Sequence, residues 1–83
     1  MPETFSFSRA LELLKEGDNV CRLGWNGKGM WLSLQVPDAH SKMTLPYIYI
    51  EYPHGHPAYP SGSRVPWLAS QTDLLAEDWM VAE

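Results

Sequence analysis

Hydrophobic positions near the start of the chain follow a helical period. Phe7, Ala10, Leu11 and Leu14 recur on one face, and Leu13 widens the stripe. Ser6 stands where an N-cap is wanted, and Phe5 is placed to staple onto Ala10. Arg9 occupies the position at which a capping box needs Glu, so that box is incomplete. Gly17 is suited to close the helix in a left-handed conformation. The pattern predicts a helix over residues 7–16.

Beyond it the period shortens. Val20 to Gly24 is short and alternating, and Met30 to Val36 is longer and apolar. Trp25 to Gly29 separates the two, and its Asn26-Gly27 pair tolerates the positive φ of a tight turn. A β-hairpin is expected here. The polar stretch Pro37 to Pro46 reads as a loop, and Tyr47 to Tyr52 as a strand rich in β-formers. Pro53 to Pro60 holds three prolines and is a loop. Val65 to Leu68 is a short extended piece that Pro66 limits to an edge or an end.

Ser70 to Asp73 has the spacing of a capping box, with Asp for Glu, ahead of a helical turn at Leu74, Leu75 and Ala76. Trp79 to Ala82 reads as a last strand. The expected order is helix, three strands, short helix, strand. Short connections favour antiparallel pairing, so the class is α+β: an N-terminal helix on a small antiparallel sheet, with a short second helix before the last strand.

Composition narrows the reading. The 83 residues make one domain, 1–83, whose core leaves little stability to spare. A single cysteine permits no internal disulfide, so extra burial is expected from copies of the chain or from partners. A net charge of −4 argues against a DNA or RNA polymer or an anionic membrane as the partner. No targeting signal and no run near the ~18 apolar residues of a spanning helix is found. With Cys21 alone in a reducing compartment, the expected location is cytoplasmic.

Support for catalysis is thin. No nucleophile elbow, triad spacing or phosphate-cradling Gly-rich loop occurs. Cys21 reads as a small strand hydrophobe. His54 and His56 lack a further ligand at usual spacing, so no metal and no cofactor is expected.

Charge distribution says more than its total. Asn19 to Pro37 contains Arg22 and Lys28 and no acid; Asp73 to Glu83 contains four acids and no base. Four tryptophans are a high count for this length. Trp25, Asn26, Gly27, Gly29 and Trp31, with the two cations, offer an aromatic platform, an amide and close-approach glycines to a nucleotide phosphate. The same residues also serve as core plug and turn. Ser70, Gln71, Thr72 and Asp73 open a helix whose free N–H groups favour anions, or they cap it and nothing more.

Two long stretches, Gly24-Trp25-Asn26-Gly27-Lys28-Gly29-Met30-Trp31-Leu32 and Pro66-Trp67-Leu68-Ala69-Ser70-Gln71-Thr72-Asp73-Leu74-Leu75-Ala76-Glu77-Asp78-Trp79, resemble the signature blocks of the second Thoeris anti-defence family of phages and prophages. The resemblance extends to Ala10-Leu11 and Lys15-Glu16-Gly17. It implies a non-enzymatic sponge that sequesters immune cyclic nucleotides: glycocyclic ADP-ribose and, in some members, cyclic dinucleotides of the CBASS type in a separate pocket. It further implies a homotetramer with pockets at subunit interfaces, in the cytoplasm of an infected or lysogenic host.

On these motif positions, Trp25 or Trp67 is expected to stack a base. Asn26 and Asp73 would bond ribose or base edges, Arg22 and Lys28 would meet phosphates, and Ser70 and Gln71 would add polar contacts. Two other classes stay open: an interaction module whose tryptophans build an oligomer interface, and a small nucleotide hydrolase.

Overall fold

The computed structural model describes residues 3–25, 29–52, 60 and 62–82. Helix α1 spans Phe7–Lys15. Strand β1 (Val20–Arg22) leads through a 3-10 turn at Leu23–Trp25 to β2 (Trp31–Gln35). Then come β3 (Tyr47–Glu51), β4 (Arg64–Pro66), helix α2 (Gln71–Leu75) and β5 (Trp79–Val81). The class is α+β, as the pattern predicts. One strand more than expected precedes α2, because the extended piece around Pro66 pairs with β3.

All strands pair antiparallel in one sheet of order β4-β3-β2-β1-β5. β4 is therefore an edge strand, as Pro66 requires, since proline cannot donate to a further ladder. The opposite edge, β5, is covered by a bridge from Phe5, whose N–H donates to the Trp79 carbonyl at 2.9 Å and whose carbonyl accepts the Trp79 N–H at 3.1 Å.

Helix α1 ends as its sequence dictates. Gly17 adopts φ +99°, its N–H reaches the Leu14 carbonyl, and the Asp18 N–H reaches that of Leu13. This is a Schellman closure, which satisfies two carbonyls a bare helix end would leave unpaired. At the other end Ser6 holds the N-cap position, but its hydroxyl makes no capping bond. With Arg9 three residues on, no acid completes the box.

The register puts Val20, Leu32 and Ile50 in line across β1, β2 and β3. Together with Trp79 of β5 they face Ala10, Leu13 and Leu14 of α1 and form the buried core. α1 lies over β1, β2 and β5. Strand alternation sends Cys21, Trp31, Ser33, Tyr47 and Tyr49 to the opposite face.

Leu14 is fully buried. Leu14→Ala is expected to destabilise the chain by about 2–5 kcal/mol, a large part of a small domain's stability. Leu68 is 93% exposed, so Leu68→Ala is expected to change stability by less than about 0.5 kcal/mol. Urea denaturation of both variants checks the pair.

Candidate functional site

Trp79 is the centre of an aromatic cluster. It has 0% exposure and sits where β5 meets α1. Trp25 meets it edge-on, with ring centroids 5.6 Å apart and planes at 77°. Trp67 does the same at 5.9 Å and 86°. Phe7 of α1 lies 5.1 Å from Trp79 and 5.8 Å from Trp67. Such tilted and edge-to-face pairs suit the aromatic quadrupole better than a flat sandwich. The buried indole N–H of Trp79 donates to the Asp73 carbonyl at 2.9 Å, so its one polar atom is satisfied.

Beside the cluster runs a chain of charged groups. The Arg22↔Trp79 register places Arg22 on the same face as Trp79. Arg22 Nε donates to Asp78 Oδ1 at 2.9 Å, and Nη1 donates to Asp73 Oδ1 at 2.8 Å. The second oxygen of Asp78 accepts the Gly24 N–H at 2.7 Å. The second oxygen of Asp73 accepts the Ser70 N–H at 3.2 Å, while Ser70 Oγ accepts the Asp73 N–H at 3.1 Å. The capping box expected at Ser70 and Asp73 is thus formed.

These contacts set the ionisation of the group. Burial is the largest single influence on Asp73 and Asp78 and opposes their charge. Hydrogen bonds from Arg22 to both, from Ser70 to Asp73 and from Gly24 to Asp78 outweigh it, together with the Arg22 charge, and hold both carboxyls below the ordinary 3.8. Arg22 is raised in turn, chiefly by its bond to Asp78 and then by that to Asp73. One guanidinium between two ionised carboxylates leaves a net negative group, which does not favour a phosphate.

The expected site residues therefore divide. The fold brings Arg22 and, from the first block, Trp25 together with Trp67, Ser70 and Asp73 of the second. Gln71 is exposed at the first position of α2. Trp31 faces away with the alternation of β2, since its neighbour Leu32 faces the core. Asn26 and Lys28 lie outside the described residues, as do Gly27, His54 and His56. The acid-free stretch does not stand apart from the acidic one, because Arg22 of the first pairs with two acids of the second. Phe7, Gly24, Asp78 and Trp79 belong to the same constellation without having been singled out. The signal for Asp78 lay in the complementary charge of the two stretches.

Cys21, on the far face, is half-buried, and burial pushes its thiol up, away from the thiolate a nucleophile needs. That face also carries a shallow depression lined by Gln35, Tyr47, Tyr49, Arg64, Val65 and Pro66. Among the described residues no His, Cys, Asp or Glu group of three could hold a metal, and no helix is long and apolar enough to cross a membrane.

The family model for the Thoeris anti-defense 2-like domain matches residues 5–82, which include both motif blocks and the whole aromatic cluster. The chain belongs to the Thoeris anti-defense 2-like family. It is similar to the protein named Thoeris anti-defense 2 of Bacillus phage SP01, with 39% identity over 87 residues covering 95% of this chain and 96% of that protein. For this family member, then, the first block and the second are two walls of one structure, joined by an arginine. Membership supports an anti-defence role.

The charged group makes stability pH-dependent with a definite sign. Both carboxyls titrate lower in the folded chain than in the unfolded one. Their contribution is complete above pH 3.8 and is lost as pH falls through the lowered folded values. Urea midpoints measured downward from neutral pH should drop in this acid window. Arg22→Met removes two charge-assisted bonds from groups 16–29% exposed. It is expected to cost about 2 kcal/mol at neutral pH and to flatten the acid dependence.

Proposed function

We propose that this protein binds immune cyclic nucleotide signals, glycocyclic ADP-ribose and cyclic dinucleotides, and sequesters them without cleavage. The observation that carries the reading is the convergence of both motif blocks on the cluster around Trp79. Trp25 and Trp67 are only partly buried, which leaves indole surface for a base to stack on. Asn26 and Lys28 follow Trp25 closely in sequence and bring an amide and a cation. Ser70 and Gln71 stand exposed at the start of α2. Arg22 and Asp73 are bonded to each other beside these residues and join the two segments.

Sequestration without turnover fits the chemistry of the site. A general acid needs a carboxyl held protonated at neutral pH. Asp73 and Asp78 are held ionised instead. The assembly we infer is a homotetramer in the cytoplasm of the phage's bacterial host. Leu45, Leu68 and Leu75 are each at least three-quarters exposed in the single chain, which supports further burial between copies. The rival reading, a protein-interaction module with a tryptophan interface, draws on the core role of Trp79.

The test is a panel of cyclic nucleotides with three readouts. Glycocyclic ADP-ribose should raise the melting temperature in line with RT ln(1 + [L]/Kd). Heat-denatured complex should release the ligand intact, and light scattering should report four chains. Trp67→Ala that stays folded and assembled should weaken binding by about 1–3 kcal/mol. No melting shift with any member of the panel would establish the interaction module. A linear product would establish a hydrolase.

A further inference from the structure

Gly24 and Asp78 approach so closely that a larger residue at Gly24 would oblige the Asp78 carboxylate to shift. A Cβ at Gly24 would lie 2.9 Å from Asp78 Oδ2 and 3.6 Å from Arg22 Nη2. The absent side chain lets the Gly24 N–H sit 2.7 Å from that same oxygen. Continuous hydrogen bonds thus run from Gly24 through Asp78, Arg22 and Asp73 to Ser70. They tie the turn that carries Trp25 to the segment that carries Trp67 and α2. Two of the links are charge-assisted, with Arg22 presenting its planar fork to a separate carboxylate on each arm. Both carboxylates are already committed, so the group is net negative and faces a phosphate poorly.

We propose that Arg22, Asp78 and Gly24 are positioning residues, a clamp that fixes Trp25 against Trp79 and holds the two segments whose tryptophans are offered to the nucleotide. The guanidinium makes no ligand contact. This rests on the ligand-binding reading above and deepens it. Arg22 thereby serves the fold of the site.

The two roles open to Arg22 predict opposite signs at Asp78. If Arg22 met a phosphate, Asp78→Asn would remove a competing negative charge and tighten binding. If Arg22 positions, Asp78→Asn weakens it. Both neighbours of that side chain are donors, and an asparagine must turn its own NH2 toward one of them.

The experiment uses the full chain with glycocyclic ADP-ribose as probe, by calorimetry at two salt concentrations. Arg22→Gln and Asp78→Asn are each expected to weaken binding roughly tenfold, the scale of one charge-assisted hydrogen bond. The salt dependence should stay that of the parent, since no phosphate contact is lost. Lys15→Gln removes the same charge from the exposed end of α1 and should bind as the parent. Arg22→Lys, which reaches one carboxylate only, should fall between and serves if Arg22→Gln does not fold.

A second readout needs no ligand. Fluorine NMR of 5-fluorotryptophan protein resolves the four tryptophans, with Trp25 assigned by Trp25→Phe. The Trp25 signal should shift or broaden in Arg22→Gln, Asp78→Asn and Gly24→Ala. Asp78→Asn that binds as well as or better than the parent, with Arg22→Gln losing affinity and salt dependence together, would overturn the clamp. So would a Trp25 signal unmoved in all three variants. A parent that ignores the probe would sink the ligand reading alone, and the fluorine signals then decide the clamp.

Discussion

Burying Trp79 completely is the demand that organises this small chain. An indole is large and apolar but carries one donor, and that donor has to be answered inside. The carbonyl of Asp73, within the short helix that precedes β5, answers it. Phe7, Trp25 and Trp67 enclose the ring, each from a different part of the sequence. The Phe5 bridge then seals the outer side of β5. Core packing and candidate site are consequently the same object here. A residue that touches Trp79 is at once part of the fold and part of the candidate site.

Electrostatics follow from that geometry. Pairing β5 with β1 brings Arg22 opposite Trp79, and with it the acids that flank Trp79 in sequence. An arginine this close to two carboxylates keeps them charged and is itself kept charged. Partial burial strengthens the attraction, and hydrogen bonds from Ser70 and Gly24 take up the remaining carboxylate oxygens. The result is a hydrogen-bonded polar seam beside an apolar cluster.

One helix cannot cover a sheet of five strands. α1 lies over the β5, β1 and β2 side, and the far face retains Trp31, Tyr47 and Tyr49 at half burial. Apolar side chains such as Leu45, Leu68 and Leu75 remain in solvent. A chain of this size has little core to set against its conformational entropy.

Local elements were legible in the sequence because local rules determine them. The stripe of Ala10, Leu13 and Leu14 specified α1, Gly17 its closure, and Ser70 with Asp73 the cap of α2, each through contacts within a few residues. The alternation of Tyr47 to Tyr52 specified a strand, and Pro66 kept its own segment at an edge. The two motif blocks also marked segments that the fold brings together around Trp79. What they could not determine was who pairs with whom. Nothing near Arg22 in sequence shows that its partners stand more than fifty residues away, or that Trp31 and Trp25 end on opposite sides of the sheet. Those outcomes depend on strand order and on a register of period two, where a shift of one residue exchanges the faces. Only the closed sheet, with β5 laid beside β1, fixed them.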